Sequence, residues 1–146
     1  MLPTFRSLFI FYSMLILLFS VDADAKCLPT SLRHIEFGKE IVRNETVCFS
    51  DADSALIQSK NCSEGDCLAL KKVGRILPIK YSKLINVQGT PRAKLCALAG
   101  GIFILTDYQL STESTWTSTD LCQFSDDSFV SGSTLMDLNR KSLGTN

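Results

Sequence analysis

Six cysteines are the residues of this chain with the most chemistry to offer: Cys27, Cys48, Cys62, Cys67, Cys96 and Cys122. Thiols at such positions can bind metal, cycle between redox states or cross-link a fold. Structural zinc takes two closely spaced cysteine pairs, and only Cys62 and Cys67 stand that close. A redox dithiol usually sits in a Cys-x-x-Cys motif that lowers one thiol pKa, and no such motif is present. An even count in an exported chain points instead to disulfides. The four cysteines of the first half allow three pairings among themselves. Closure of local loops favours Cys27–Cys48 and Cys62–Cys67. Cys96 and Cys122 remain, across twenty-five intervening residues. A bridge over that span contributes roughly 3 kcal/mol by the loop-entropy estimate.

The other reactive side chains are sparse. His34 is the one histidine, with Ser31 and Glu36 close in sequence. General acid–base work needs a partner within hydrogen-bond reach, and adjacency along a strand does not supply one. Glu36, Glu40 and Glu45 read as a solvated hairpin face rather than a catalytic carboxylate pair. Glu64, Gly65 and Asp66 lie between Cys62 and Cys67 and form the candidate binding loop. A bridged loop of this kind loses little entropy on binding. Its two carboxylates resemble a sparse calcium set but lack the twelve-residue ligand loop. Trp116 shares the period-two face of Cys122 and Phe124 and is expected in the core. Asn44-Glu45-Thr46 and Asn61-Cys62-Ser63 are glycosylation sequons that matter only in a eukaryotic host.

An export signal stands in front of all six cysteines. Arg6 supplies a positive start, Leu8 to Phe19 is an apolar run of twelve residues, and Ala23-Asp24-Ala25 is a small-x-small cleavage pattern. Twelve helical residues span roughly 18 Å, short of a hydrocarbon core of roughly 30 Å. The expected organisation is therefore a signal peptide over 1–25 and a mature chain of 121 residues from Lys26 to Asn146. Lys26 before Cys27 argues against lipid attachment at that cysteine. No stable membrane span is expected after cleavage.

Charge is balanced overall, with 15 basic and 15 acidic residues, but unevenly placed. Seven basic residues and no acidic one lie between Cys67 and Thr106; six acidic and two basic residues follow from Asp107. Lys71, Lys72, Arg75, Lys80 and Lys83 form the candidate basic patch, suited to an anionic envelope polymer or head group. The alternative is that the basic middle folds against the acidic C-terminal part. Nucleic acid is excluded as a partner by the export signal, the balanced charge and the lack of a stacking pattern of aromatics.

The elements that must position these residues read as mostly antiparallel β. Leu32 to Val42 and Val47 to Phe49 suggest a hairpin turning at Arg43 to Thr46. Asp51 to Ser54 marks a turn, and strands are expected over Ala55 to Lys60 and Cys67 to Val73. Ile76 to Ile85 is broken by Pro78 and reads as an edge strand or extended link. The sharpest local signal is a short helix from Pro91, capped by Thr90 and ended by Gly100. Ile102 to Leu105 follows as a buried strand, Ser111 to Thr119 as a loop, Leu121 to Ser125 as a strand and Asp126-Asp127 as a turn. Phe129 to Met136 is expected as a last strand, with residues 139–146 disordered.

The blocks Pro91, Cys96, Gly100, Gly101 and Cys122-Gln123-Phe124-Ser125-Asp126-Asp127-Ser128 resemble the bacterial envelope family known as domain of unknown function 333. Its members often carry a haemolysin label. The family pattern is proline, cysteine five residues on, Gly-Gly after three more, then Cys-x-Phe-x-Asp-Gly-Ser. Thr90 stands where the family usually has Asn, and Asp127 where it has the turn glycine. The family's aromatic-rich tail and final cysteine are absent after Ser128. The resemblance covers the C-terminal half only. It implies the Cys96–Cys122 pairing and a bacterial envelope setting, and it brings no activity.

The sequence thus predicts a small α+β protein, mostly antiparallel β with one short helix, stapled by disulfides. Residues 26–88 form a β-rich region with four cysteines and 89–138 a helix-plus-strands region. The expected role is a periplasmic or secreted, monomeric, non-catalytic binding protein for an envelope or extracellular ligand, without cofactor or metal. A secreted toxin or inhibitor, and a hydrolase with an unrecognised site, are the alternatives.

Overall fold

Alternating strands and one-sided helices build two stacked cores. The structure, a computed structural model, describes residues 25–50, 53–85 and 89–144. The leader expected over 1–25 lies outside these residues, Ala25 excepted, as does the start of the turn expected at Asp51-Ala52.

The strands are β1 (Lys26–Glu36), β2 (Lys39–Ser50), β3 (Asp53–Ser59), β4 (Ile102–Leu110), β5 (Thr117–Gln123) and β6 (Phe129–Ser131). The helices are α1 (Lys60–Ser63), α2 (Leu68–Ile76), α3 (Ser82–Ile85), α4 (Pro91–Ala99) and α5 (Gly132–Ser142). The six strands form a closed antiparallel barrel in the order β1-β2-β3-β6-β5-β4. Period-two alternation sorts neighbours to opposite sides of the sheet. Leu121 and Phe129 join Leu32, Val47, Phe49 and Ile57 in the barrel interior, where Phe49 and Tyr108 meet at 5.5 Å. Cys122 and Val130 point the other way, into a second core with Ala69, Val73, Leu95 and Leu135 of the helices. Among the described residues no helix is long and apolar enough to cross a membrane.

Three disulfides staple these layers: Cys27–Cys48, Cys62–Cys67 and Cys96–Cys122. The first joins facing positions of β1 and β2. The second closes the turn from α1 into α2. The third ties α4 to β5. Three disulfides mark a chain that folds in an oxidising environment.

The helix at Pro91 has the expected ends. Thr90 Oγ1 accepts from Ala93 N–H at 3.2 Å, and Gly100 takes the left-handed conformation at φ 80°. Gly101 is glycine for a different reason. A methyl group there would collide with Cys122 Sγ and crowd Cys96 Sγ and Phe124. The Gly-Gly pair therefore combines a helix stop with clearance for the disulfide.

Several expectations need correction. The expected single short helix is one of five among the described residues. Residues 68–76 form α2, not a strand, because Ala69, Val73 and Ile76 fall at helical spacing and face the helix-covered core beside α4. The stretch 76–85 is not an edge strand. Leu77 ends α2 before Pro78, and Ser82–Ile85 forms the short α3. The hairpin turns at Phe37-Gly38, not at 43–46, so β1 and β2 pair in register from Lys26–Phe49 to Glu36–Lys39. The last strand stops at Ser131, whose Oγ accepts from Thr134 N–H at 3.1 Å and starts α5. Residues 139–142 are helical and anchored. Buried Asn139 accepts from Ile79 N–H at 2.8 Å and donates to Ile79 C=O at 2.9 Å, the two bonds a strand neighbour would make.

Candidate docking groove at the barrel seam

β1 and β4 close the barrel over only four register positions, from Thr30 opposite Leu110 to Arg33 opposite Asp107. Beyond Arg33 the two strands part. β1 continues paired to β2 alone, and β4 from Ile102 to Thr106 is paired to β5 alone. The fork opens into a groove of about 1020 Å³, lined by Ile35 and Ile41 of the β1–β2 arm and by Ile102, Ile104 and Leu105 of β4. A smaller hollow of about 520 Å³ lies beside it, between Arg33–Ile35 and Leu105–Asp107.

The apolar side chains here face solvent. Phe37 is 97% exposed, Leu105 75%, Ile102 70% and Ile35 67%. Ile102 to Leu105 is a strand as expected, but it is not buried: Ile102 and Leu105 are exposed and Phe103 and Ile104 half-buried. Apolar groups clustered at one place mark interaction surfaces more often than chance exposure does. Phe37 crowns the arm. It and Gly38 have φ of 48° and 76°, a two-residue turn with both residues left-handed. A bulky aromatic rarely adopts that backbone.

Polar groups pin the fork. Arg33 Nη2 donates to Asp107 Oδ2 at 2.9 Å, and Ser118 Oγ donates to Asp107 Oδ1 at 2.7 Å. The Ser118 hydroxyl first, and then Arg33, hold the Asp107 carboxyl below the usual carboxylate range. The Arg33 guanidinium lies 4.3 Å from the Trp116 ring centre. On the other side Arg43 Nη2 donates to Gln123 Oε1 at 3.1 Å, and Gln123 Nε2 donates to Asp127 Oδ1 at 3.3 Å. Arg43 Nε lies 3.1 Å from Glu45 Oε1, but its N–H is not aimed at that oxygen. The contact is an ion pair without a hydrogen bond.

The residues singled out from sequence fall in several places. His34 lines the groove with its Nε2 3.9 Å from Glu36 Oε2. Glu36, Glu40 and Glu45 do not pair as carboxylates; each faces a different base, His34, Arg33 and Arg43 respectively. Trp116 is half-buried against Arg33, not in the core, because β5 begins only at Thr117. Glu64, Gly65 and Asp66 are exposed on the bridged turn, where Glu64 meets Lys60 and Asp66 meets Lys71. Lys71 holds the Asp66 carboxyl low. Among the described residues no three His, Cys, Asp or Glu side chains gather as a metal site.

Lys71, Lys72 and Arg75 lie on the exposed face of α2, with Lys80 and Lys83 on the link and α3 that follow. Among the described residues no carboxylate pairs with Lys72, Arg75, Lys80 or Lys83. Among the described residues only Arg92 joins the basic middle to the acidic end by an ion pair, 3.3 Å from Asp120. Asn44 is exposed on β2, while Asn61 Oδ1 accepts from Ser59 Oγ and Cys62 N–H.

The groove itself was not picked out from sequence. Its one signal was Phe37-Gly38 between Ile35 and Ile41, a glycine-containing turn flanked by apolar residues. No protein-family model, no curated protein and no solved structure matches the chain.

Proposed function

We propose that this is a non-catalytic binding protein, exported to the bacterial periplasm or beyond, whose partner docks in the groove between the β1–β2 arm and β4. The observation that carries the reading is the exposure of Ile35, Ile102 and Leu105 along an open groove, with Phe37 exposed at the tip of the arm. These side chains contribute nothing to either core, and burying each against a partner would release about 1.5–3 kcal/mol before association costs. The rigid stapling supports the same reading, since an ordered surface loses less entropy on binding. The export signal, the three disulfides and the resemblance of the Pro91–Ser128 segment to the 333 family support the envelope setting.

The test is capture from envelope extract on the immobilised, oxidised mature protein. Wild type and Lys72→Ser should retain the same partner, and Leu105→Glu should lose it. Leu105 is exposed, so the substitution leaves the cores intact. Equal retention by Leu105→Glu would remove the groove from the proposal.

A further inference from the structure

We infer that the groove takes one extended, apolar, basic peptide segment of another protein, which adds as a strand to the free edge of β4 between Ile102 and Thr106. This rests on the docking reading above and specifies its chemistry. The first ground is the backbone. Each residue of a strand offers hydrogen bonds to alternate sides, and β4 meets a strand on both sides only at Asp107 and Tyr108. Among the described residues, Ile102 to Thr106 has no strand partner on one side, and the His34–Glu36 edge of β1 across the fork has none either. Water can satisfy those groups, but an added strand satisfies them in register.

The second ground is the sequence of that edge. Natural proteins guard free edges with charge, proline, bulges or a covering element. Ile102-Phe103-Ile104-Leu105-Thr106 has none of the first two, and Ile102, Phe103, Ile104 and Thr106 favour strands. Its pairing with β5 also runs without a bulge. An unguarded edge recessed behind an arm suits a partner strand, because the arm excludes wide surfaces while a single chain fits.

The third ground is charge. The groove and the hollow beside it carry four carboxylates, on Glu36, Glu40, Asp107 and Asp127, against the guanidiniums of Arg33 and Arg43. Arg33 is committed to Asp107, and Arg43 contacts Glu45 and Gln123. The excess is negative, so a segment with Lys or Arg beside its apolar residues is complementary. A second copy would bring a like-charged rim, and an anionic lipid surface would be repelled.

The probe is a random library of displayed peptides of about nine residues, long enough to cover a five-residue edge, panned on the oxidised protein. Enriched sequences should alternate apolar residues and carry Lys or Arg, and Leu105→Lys should bind them at least about tenfold more weakly. Methylating backbone nitrogens of a selected peptide one at a time should weaken it about tenfold at every second position only. A binder lost with Leu105→Lys but indifferent to methylation overturns strand addition and leaves the docking reading standing. So does a library yielding nothing while Leu105→Glu still loses the envelope partner. Association of the protein with itself or with phosphatidylglycerol vesicles through Leu105, in place of peptide binding, overturns the inference as well.

Discussion

Phe37 sits where an L side chain is least at ease. The left-handed conformation costs roughly 1–2 kcal/mol for an ordinary residue and little for Asn. Phe37 makes no compensating burial, because nearly all of its surface meets solvent. Strain held at an exposed aromatic is what a binding tip would keep and a purely structural turn would discard. Phe37→Asn should therefore raise the unfolding free energy in urea by about 1 kcal/mol. The same variant should retain less partner from envelope extract. A fall in stability would contradict the strain argument, and unchanged retention would take the tip out of the interface. Asp127 shows the same backbone demand met differently. Its φ of 62° is left-handed, and a short polar side chain tolerates that geometry.

At the scale of elements, the Asp126–Ser128 turn clasps the start of α2. Asp126 Oδ2 accepts from Leu68 N–H at 3.0 Å, and Ser128 Oγ accepts from Ala69 N–H at 3.0 Å. Both amides lie in the first helical turn and would otherwise lack partners. Burial pushes the Asp126 carboxyl up, but the Ser128 hydroxyl and the backbone N–H groups of Leu68 and Ser128 outweigh it, and the net shift is downward. A carboxyl lowered by folding stabilises fully above its ordinary value of 3.8, and that contribution disappears as pH falls through the folded value. Asp126→Asn should cost about 1 kcal/mol at pH 7. The gap to wild type should shrink steadily below about pH 4. Urea curves at a series of pH values check this, and a gap independent of pH would refute the clasp. The Asp66 and Asp107 carboxyls are also held low, so the difference between variants is the informative quantity. This clasp also explains which elements sequence could reveal. The α4 helix carries its own stop signals in Thr90, Pro91 and Gly100 and was legible. The α2 helix borrows its cap from residues nearly sixty positions away. Its Leu68–Leu70 alternation resembles a strand until Val73 and Ile76 are counted.

The whole molecule combines local staples with long-range closure, and only the staples are written locally. The β1–β2 and β4–β5 ladders join neighbours in sequence, and their antiparallel character was readable from alternation and turns. Barrel closure pairs Arg33 with Asp107 and Gln58 with Val130, and no local pattern announces either. The groove exists because the first of these closures stops early, so it was as invisible as the closure itself. The disulfides then decide how firmly the layers hold. Loop entropy ranks them by span: 26 residues for Cys96–Cys122, 21 for Cys27–Cys48 and 5 for Cys62–Cys67. The estimates are about 3.5, 3.3 and 2 kcal/mol respectively. Burial separates the first two. Cys96 and Cys122 are both fully buried in the helix-covered core, whereas Cys27 is exposed at the barrel rim. Replacing Cys96 and Cys122 together by Ser also puts two hydroxyls into that apolar core, at about 1–3 kcal/mol each if unpaired. That double variant should therefore lose the most stability in urea, Cys27→Ser with Cys48→Ser less, and Cys62→Ser with Cys67→Ser least. Lys71→Ser, which breaks only an exposed, solvent-screened ion pair with Asp66, should change stability less than any of the three double variants. If the Cys62–Cys67 pair proved the costliest to remove, the two layers would not be joined chiefly through α4 and β5.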